Sequence, residues 1–484
     1  MSECFLSGPL DASLAELRSL SIIRLSINNL SAPVPEFLAN YSKLTSLQLS
    51  SCQLNGIFPQ TVFQIPTLEI LDLSYNELLQ GSFPEFHQNL SLMTLLLSST
   101  NFSGTLPQSI GNLEKLSRIE VVGNNFTGTI PSSLANLTQL FYLDLSSNKF
   151  EGRIPSFRKS KNLNYADLSR NQLTGEIPSG HWEGLLNLTY VGLRDNAFNG
   201  SIPSSLLAIP SMQRIQLSNN RFGGQIPEFP NVSSSLLDTL DFSSNKLEGP
   251  IPSSVFDLAN LNFLDLSSNK LNGTVGLHLV QKLRNLTTLG LSYNNLTVIA
   301  SGKNSNVSSL PQIKKLKLAS CNLSVFPYLR NQSKLFHLDL SDNQITGPVP
   351  GWISELSLLH LIGTIPSCLI EGVKTLRVLN LRRNNFDGSI PDKFPRSCGL
   401  KTLDLSGNNL QGKVPKSLEN CTTLEVLDLG NNQINDSFPC LLESISSFRV
   451  LVLRYNMFSG LIGCPGINGT WPRLQIVDIA FNHF

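Results

Sequence analysis

An asparagine recurs about every 24 residues along the whole chain, always at the end of the frame L-x-x-L-x-L-x-x-N. One copy reads LFYLDLSSN and runs from Leu140 to Asn148. A fixed period of this length indicates a solenoid, in which each repeat forms one coil and buries its leucines only against its neighbours. Such a chain can reach 484 residues without dividing into several globular domains, because it grows along one axis.

The spacing of the leucines predicts a short strand in each coil. Leu143 and Leu145 are two residues apart, so both point to the same side of an extended chain. Strands of successive coils are expected to pair in parallel on the concave side, with short helical, 3-10 and loop segments on the convex side. The frame is that of the leucine-rich repeat. It predicts an α/β-type solenoid, a leucine-rich repeat superhelix of about 20 repeats.

The recurring asparagine has a structural explanation. Asn148 stands where the chain leaves the strand, and its amide can both donate to and accept from backbone groups of that turn. We call this place in each repeat the ladder position. Sixteen of the twenty ladder residues are asparagine, and the exceptions are Cys4, Cys52, Thr100 and Cys321. Cysteine is an accepted alternative at this place, so three of the eight cysteines are explained by the scaffold.

One interval between ladder residues breaks the period. It runs from Asn343 to Asn384 and is much longer than any other. We interpret it as a deletion that fuses parts of two repeats, and the alternative is an insertion with a function of its own. The deletion predicts a solenoid that is locally unpaired or kinked near Leu361–Ile365. It divides the chain into residues 1–361 and 362–484, with neither end capped.

Composition and motifs argue against several classes of function. A charged fraction of 15% and a net charge of +1 provide no basic face for nucleic acid. The six histidines are scattered, so no base is placed beside a nucleophile, and we predict that the chain is not an enzyme. Aspartates recur four places before the ladder, but a straight column does not converge as a calcium site requires. We therefore expect no cofactor and no metal.

Glycosylation acceptors are frequent, which suggests a secreted surface. The motif N-x-[ST] occurs eighteen times. The sequence contains no apolar segment long enough to cross a bilayer and begins without a basic stretch followed by an apolar run, so we expect neither a membrane helix nor a signal peptide within it. Together with the uncapped ends, this predicts a fragment of a longer extracellular protein. The predicted glycosylation sites are Asn89, Asn125, Asn136, Asn187, Asn285, Asn295, Asn331, Asn420 and Asn468.

Five cysteines lie outside the ladder. Cys398 and Cys421 stand at nearly the same place in two adjacent repeats, counted back from the ladder asparagine, which predicts a disulfide between them. Cys440 and Cys464 form a second, less regular pair, and Cys368 is left over. No C-x-x-C spacing or histidine cluster indicates zinc.

The candidate ligand-binding residues come from one column of the repeat. The residue six places before the ladder should face solvent on the concave side. Tyrosine and arginine, which dominate binding hot spots, are concentrated in the middle repeats of this column. The alternative is that tyrosine simply suits strands. The candidate binding residues, including two neighbouring polar side chains, are Arg118, Tyr142, Tyr165, Tyr190, Arg194, Asp195, Arg214 and Phe263.

A second string follows the ladder in most repeats. Examples are FTGTIPSSL at 126–134, FNGSIPSSL at 198–206 and LEGPIPSSV at 247–255, in which glycine permits a tight turn and proline restricts the chain beyond it. The pattern L-x-G-x-[IV]-P resembles the plant extracellular type of leucine-rich repeat over essentially the whole chain. Residues 320–350, 378–394, 420–464 and 474–484 resemble plant receptor-like proteins of the Verticillium-wilt resistance type.

This resemblance implies a function. Proteins of that type carry a signal peptide, a capped repeat ectodomain, one membrane helix and a short tail. Their ectodomain recognises a pathogen-derived or other extracellular protein or peptide ligand at the plasma membrane and signals through receptor kinases. The sequence differs from this pattern, because we expect it to contain no signal peptide, neither cap and no membrane helix. Its repeats are also irregular near residue 361. We predict non-enzymatic ligand recognition in plant defence. The alternatives are a soluble inhibitor resembling polygalacturonase-inhibiting proteins, which are shorter and fully capped, and a truncated non-functional product.

Overall fold

The computed structural model describes residues 2–300, 310–345 except positions 326, 328, 330, 331 and 333, the single residues 365 and 370, and residues 376–464 and 471–484. The chain separates into two compact units, Met1–Leu247 and Glu248–Phe484, which we call the first and second units. The predicted boundary at 361/362 lies outside the described residues. So does the predicted break near Leu361–Ile365, except for Ile365 itself, which is buried.

Each unit is built on a parallel sheet with one three-residue strand per coil, which confirms the predicted leucine-rich repeat solenoid. Neighbouring strands pair without a register shift, as Tyr142–Asp144 does with Tyr165–Asp167. Frame leucines such as Leu143 and Leu145 are fully buried. We call this sheet the main sheet. Its strands in the first unit are Ile22–Arg24, Ser46–Gln48, Ile70–Asp72, Thr94–Leu96, Arg118–Glu120, Tyr142–Asp144, Tyr165–Asp167, Tyr190–Gly192, Arg214–Gln216 and Thr239–Asp241.

In the second unit, the strands before and after the long interval between ladder residues are neighbours in the main sheet. His337–Asp339 pairs directly with Val378–Asn380, and the amide of Asn384 donates to the Leu340 carbonyl at 3.0 Å. Both the sheet and the ladder are therefore continuous between the flanks of this interval. The strands of the second unit are Phe263–Asp265, Thr288–Gly290, Lys315–Lys317, His337–Asp339, Val378–Asn380, Thr402–Asp404, Val426–Asp428, Val450–Val452 and Ile476–Asp478.

The ladder asparagines make the hydrogen bonds that the sequence predicts. Asn148 Nδ2 donates to the Val121 carbonyl of the previous coil at 2.8 Å and to the Leu145 carbonyl at 3.2 Å. Its Oδ1 accepts the Phe126 N–H at 3.1 Å. Where the ladder residue is not asparagine, its side chain can still donate to a backbone carbonyl that an asparagine would contact. Cys52 Sγ donates to the Leu25 carbonyl of the previous coil at 3.1 Å, and Thr100 Oγ1 donates to the Leu97 carbonyl of its own coil at 2.9 Å.

A second set of strands, which the sequence pattern does not predict, follows the ladder residues. The G-x-[IV]-P string was expected to form a tight turn, but its glycine closes or continues a strand. Gly128, with a φ of +73°, pairs with Phe150, and a Cβ on it would lie 2.9 Å from Thr105 Cγ2. In the first unit these strands are Asn55–Ile57, Asn76–Gly81, Thr100–Thr105, Asn125–Thr129, Lys149–Gly152, Gln172–Glu176, Ala197–Asn199 and Gly223–Gln225. In the second unit they are Lys270–Gly276, Asn295–Ile299, Asp387–Ser389, Asn409–Gly412 and Gln433–Ile434, and Lys246–Gly249 contains the boundary between units.

Short helices complete the coils, as the sequence predicts. Most begin directly after the proline of the second string, which is suited to the start of a helix because its missing N–H is not needed there. The 3-10 helices are Ala12–Glu16, Glu36–Asn40, Gln60–Gln64, Gln108–Asn112, Ser132–Asn136, Ser179–His181, Val232–Ser234, Ser253–Asp257, Lys416–Asn420 and Cys440–Ser444. The α-helices are Ser204–Leu207 and Leu277–Val280. None of the helices in the described part of the chain has the length and hydropathy needed to cross a bilayer.

Two disulfides join adjacent coils of the second unit. Cys398 is bonded to Cys421, which is the pair expected from the spacing, and Cys440 is bonded to Cys464. Cys368 lies outside the described residues.

We expect non-reducing peptide mapping of the folded chain to recover both linked peptide pairs. Cys52 and Cys321 are expected to react with a thiol reagent only after unfolding, because both are buried. Burial also raises the pKa of the Cys321 thiol to about 12, which keeps it protonated and unreactive. A crossed pairing such as Cys421 with Cys440 would contradict the arrangement of these coils.

Candidate ligand-binding face

The sheet face is the side of the main sheet opposite the buried leucines, and it carries the residues six, four and two places before each ladder residue. On five consecutive strands of the first unit, the sixth place holds Arg118, Tyr142, Tyr165, Tyr190 and Arg214. The parallel register sets each of these residues directly opposite the next. The structure therefore brings together the column that the sequence selected, and we call its three tyrosines the tyrosine row.

The tyrosine row forms a continuous stack. The ring centroids of Tyr142 and Tyr165 are 4.3 Å apart with an interplanar angle of 1°, and those of Tyr165 and Tyr190 are 4.4 Å apart at 6°. The guanidinium of Arg118 covers the outer face of Tyr142 at 4.4 Å. These separations are close to the spacing of strands, about 4.8 Å, so identical rings in register stack without strain. A partner on this face meets ring edges and hydroxyls, because the inner ring faces are closed.

The hydroxyl of Tyr190 lies between two neighbouring strands. It is 3.1 Å from Asp167 Oδ2 and 3.0 Å from Gln216 Oε1, and it can donate to either. Tyr165 Oη is 3.4 Å from the same Asp167 oxygen. Burial, the Asp167 carboxylate and further contacts raise the pKa of both phenols, so they remain protonated donors.

A row of carboxylates runs beside the tyrosine row. Glu120, Asp144 and Asp167 face one another on adjacent strands, four places before the ladder. Asp144 is 8% exposed, and its Oδ1 accepts the Ser146 N–H at 3.0 Å. Burial raises the pKa of Asp144 to about 6, and the charges of Asp167 and Glu120 contribute to this shift. Arg118 forms an ion pair with Glu120, but within the first unit no described cation pairs with Asp144.

The remaining candidates lie around these rows or apart from them. Arg214 pairs with Asp238 at 3.3 Å at the end of the column. Asp195 accepts a hydrogen bond from Asn219 at 2.7 Å and lies 4.0 Å from Arg194, with both charged side chains partly exposed. Phe263 belongs to the second unit, where it is half-buried on the first strand.

The second unit shows how this scaffold neutralises a carboxylate in the same column. Lys317 Nζ is 3.0 Å from Asp265 Oδ2, and the strand between them carries Gly290 at that place. A Cβ on Gly290 would lie 2.3 Å from Asp265 Oδ1, so any other residue here would displace the carboxylate. Gly192 occupies the corresponding place beside Asp167 in the first unit. Neither glycine was predicted as a functional residue, because in the sequence each one only interrupts the column of polar residues four places before the ladder.

No glycosylation acceptor falls in the repeat positions that form the sheet face. None of the eighteen stands at the second to sixth place before a ladder residue. Of the nine predicted sites, Asn331 and Asn468 lie outside the described residues. Asn125 and Asn420 are half-buried, and Asn420 Nδ2 donates to the Phe394 carbonyl at 2.8 Å. The exposed sites are Asn89, Asn136, Asn187, Asn285 and Asn295.

Comparison with known proteins identifies the family. Two sequence models, both described as leucine rich repeat, together match more than half of the chain. The first matches residues 17–78, 374–434 and 398–458. The second matches residues 67–90, 91–113, 115–137, 139–159, 236–258 and 334–356.

Among curated relatives, receptor-like protein 49 of Arabidopsis thaliana is 38% identical over 128 residues. The aligned segment is 24% of this chain and 14% of that protein, so the match spans about a seventh of the relative's length. Receptor-like protein 47 of the same plant is 37% identical over 128 residues, which are 24% of this chain and 15% of the relative.

Solved ectodomains match over a much larger share of the chain. The ectodomain of the Arabidopsis receptor kinase HAESA, in complex with the peptide hormone IDA and the co-receptor SERK1, is 31% identical. Its TM-score is 0.75, and the match covers 100% of this chain and 82% of that one. The plant peptide hormone receptor RGFR1, in complex with RGF2, is 30% identical with a TM-score of 0.75, covering 94% of this chain and 74% of the other.

These matches agree with the plant-type repeats in the sequence and with the parallel-strand solenoid of the fold. The narrower resemblance to the Verticillium-wilt resistance type stays a prediction. The chain belongs to the leucine-rich repeat family, and its curated relatives are plant receptor-like proteins.

Proposed function

We propose that this chain is the ligand-recognition part of a non-enzymatic plant cell-surface receptor that acts in defence. It binds an extracellular peptide or protein on the sheet face of the first unit and passes the signal to partner receptor kinases. The full receptor is located at the plasma membrane, with these repeats on its extracellular side.

The observation that carries this proposal is the tyrosine row. Three tyrosines in register are each half-buried and held by their neighbours, so they form a rigid surface. Their side-chain conformational entropy is lost on folding rather than on ligand binding. Rigid tyrosines of this kind supply large contact areas at little entropic cost. The absence of acceptor asparagines from the sheet-face columns leaves the surface open. The similar HAESA and RGFR1 ectodomains, solved in complex with peptide hormones, support a peptide as the ligand class.

The chemistry of the face favours a ligand with a basic group. Its half-buried tyrosines lie beside the carboxylates of Glu120, Asp144 and Asp167, and the two aspartates are 8% exposed. Asp265 of the second unit receives an ammonium from the chain itself, whereas Asp144 receives none from the described residues of its unit. A lysine or arginine of the ligand would supply the missing cation at Asp144.

The proposal predicts that Tyr165→Ala weakens binding of a cognate peptide at least about tenfold, because it removes the centre of the stack. The probes are peptides selected from a displayed random library on the immobilised wild-type chain, with dissociation constants measured by biolayer interferometry. Tyr75→Ala is the matched control, since Tyr75 is 65% exposed and lies outside the row.

Two outcomes would count against the tyrosine row. One is a set of selected peptides that bind wild type and Tyr165→Ala equally. The other is a loss of binding that Tyr75→Ala reproduces. Tyr165→Phe, which keeps the stack and removes one hydroxyl, guards against a folding defect: it should retain most of the affinity.

A further inference from the structure

We propose that Gly192 is a positioning residue of the tyrosine row: the space above its Cα lets the Asp167 carboxylate and the Tyr190 phenol meet, and so fixes the row before a ligand arrives. The consequence for binding rests on the proposed function of the sheet face. The consequence for the row itself does not.

The backbone does not require glycine at this place. Gly192 ends the strand Tyr190–Gly192, opposite Asp167 on one side and Gln216 on the other, and its φ lies outside the left-handed region. What requires glycine is space. A Cβ at residue 192 would lie 2.7 Å from Asp167 Oδ1, 2.8 Å from Asp167 Cγ and 2.9 Å from Tyr190 Cε1. All three distances are shorter than real Cβ contacts, so an added methyl group must displace at least one of these side chains.

Neither neighbour can move without loss. Asp167 is 8% exposed, and its Oδ1 accepts the Ser169 N–H at 2.9 Å, which anchors the carboxylate to the turn. Tyr190 is held by its hydroxyl contacts to Asp167 and Gln216 and by its stack on Tyr165. Alanine at residue 192 would therefore separate the phenol from the carboxylate and tilt the last ring of the row.

The first test is made without ligand. Gly192→Ala should change the near-UV circular dichroism of the stacked tyrosines, while the far-UV spectrum stays that of wild type. Gly223→Ala is the open-space control, since the atom nearest to its Cβ, the Lys246 carbonyl oxygen, is 3.8 Å away. Gly290→Ala is the crowded control, because it presses on Asp265 in the second unit and leaves the tyrosine row untouched.

The second test measures affinity for a library-selected peptide. Gly192→Ala should weaken binding about fivefold, because the row is no longer preorganised. The effect should be smaller in a Tyr190→Phe background, because that substitution already removes the hydroxyl contacts to Asp167 and Gln216, while the clash with the ring carbon Cε1 remains. If Gly192→Ala does not fold, Tyr190→Phe on the native glycine tests the same hydroxyl and should reproduce part of the spectral change.

The outcomes separate the two ideas. An unchanged near-UV spectrum in Gly192→Ala, or equal spectral effects of the Gly192 and Gly290 substitutions, overturns the positioning role whatever the face binds. A changed spectrum with unchanged peptide affinity supports the positioning role and counts against the proposed function of the row.

Discussion

Replacing Asn220 with alanine is expected to reduce the stability of its part of the first unit by about 3 kcal/mol, because the Phe198 N–H loses its acceptor and two carbonyls each lose one of two donors. Asn220 Nδ2 donates to the Leu193 carbonyl at 2.9 Å and the Leu217 carbonyl at 3.1 Å. Its Oδ1 accepts the Phe198 N–H at 3.0 Å. Alanine supplies none of these bonds; the Leu193 and Leu217 carbonyls keep Asn196 and Asn245 as donors, whereas the Phe198 N–H keeps no side-chain acceptor.

The neighbouring residue offers a control in the same turn. Asn219 is exposed and has a φ of +55°, so Asn219→Gly keeps a permitted backbone and should change stability by less than about 0.5 kcal/mol. Long repeat arrays do not always unfold in one step. The measurement is therefore native-state hydrogen exchange of the Phe198 and neighbouring amides, together with urea unfolding. Equal effects of the two substitutions would contradict the structural role of the ladder.

The ladder and the main sheet could be predicted because each repeat encodes them locally. Leu143, Leu145 and Asn148 belong to one short frame, and copies of that frame at a constant period fix which strand lies beside which. The same counting placed Cys398 and Cys421 on adjacent coils. The position of the tyrosine row followed in the same way, from one column of the aligned repeats.

Features that depend on two coils at once could not be predicted in this way. The second strands form because the segment after each ladder residue meets its copy in the next coil, and the G-x-[IV]-P string contains no strand pattern of its own. The bridge from Lys317 to Asp265 joins residues 52 positions apart across a third strand. This bridge requires glycine at residue 290, because a Cβ there would clash with the Asp265 carboxylate, and that requirement is visible only in the structure.

The orientation of the tyrosines shows the same limit. The sequence predicts a solvent-facing column of tyrosines and arginines but not the orientation of the rings. In the structure the rings stack on one another, because identical side chains in register are separated by about one strand spacing. The residue before the ladder was also missed. It adopts a left-handed conformation even where it is Tyr75 or Phe481, because the coil's turn imposes this φ on any side chain.

Asp144→Asn is expected to change both ligand binding and stability, in opposite directions. For binding, the carboxylate is the proposed partner of a basic ligand group. Removing one partner of a desolvated, hydrogen-bonded charge pair costs about 2 kcal/mol or more, so affinity for a lysine- or arginine-containing selected peptide should fall about thirtyfold at pH 7.5. A selected peptide without basic residues should bind both proteins equally.

The pH dependence of binding follows from the pKa of about 6. A cationic group binds the ionised carboxylate, so wild-type affinity should fall about tenfold between pH 7 and pH 5 as the competent fraction decreases. Asp144→Asn should lose this dependence. A wild-type affinity that is flat over this range would exclude Asp144 as the ligand's partner.

For stability the sign is reversed, because the folded protein holds the proton of Asp144 more tightly than the unfolded chain, whose pKa is near 3.8. The stabilising contribution of the protonated group is fully present below about pH 4 and is lost as the pH rises through about 6. Asp144→Asn cannot ionise, so it should match wild type at pH 4 and exceed it by about 2 kcal/mol at pH 7.5. Asp241→Asn, at the same place in its repeat but half-buried, should show a smaller gain. Urea unfolding at pH 4 and pH 7.5 measures the free energy of unfolding of both proteins. If Asp144→Asn is more stable than wild type by the same amount at both pH values, ionisation of the buried carboxylate is not the cause.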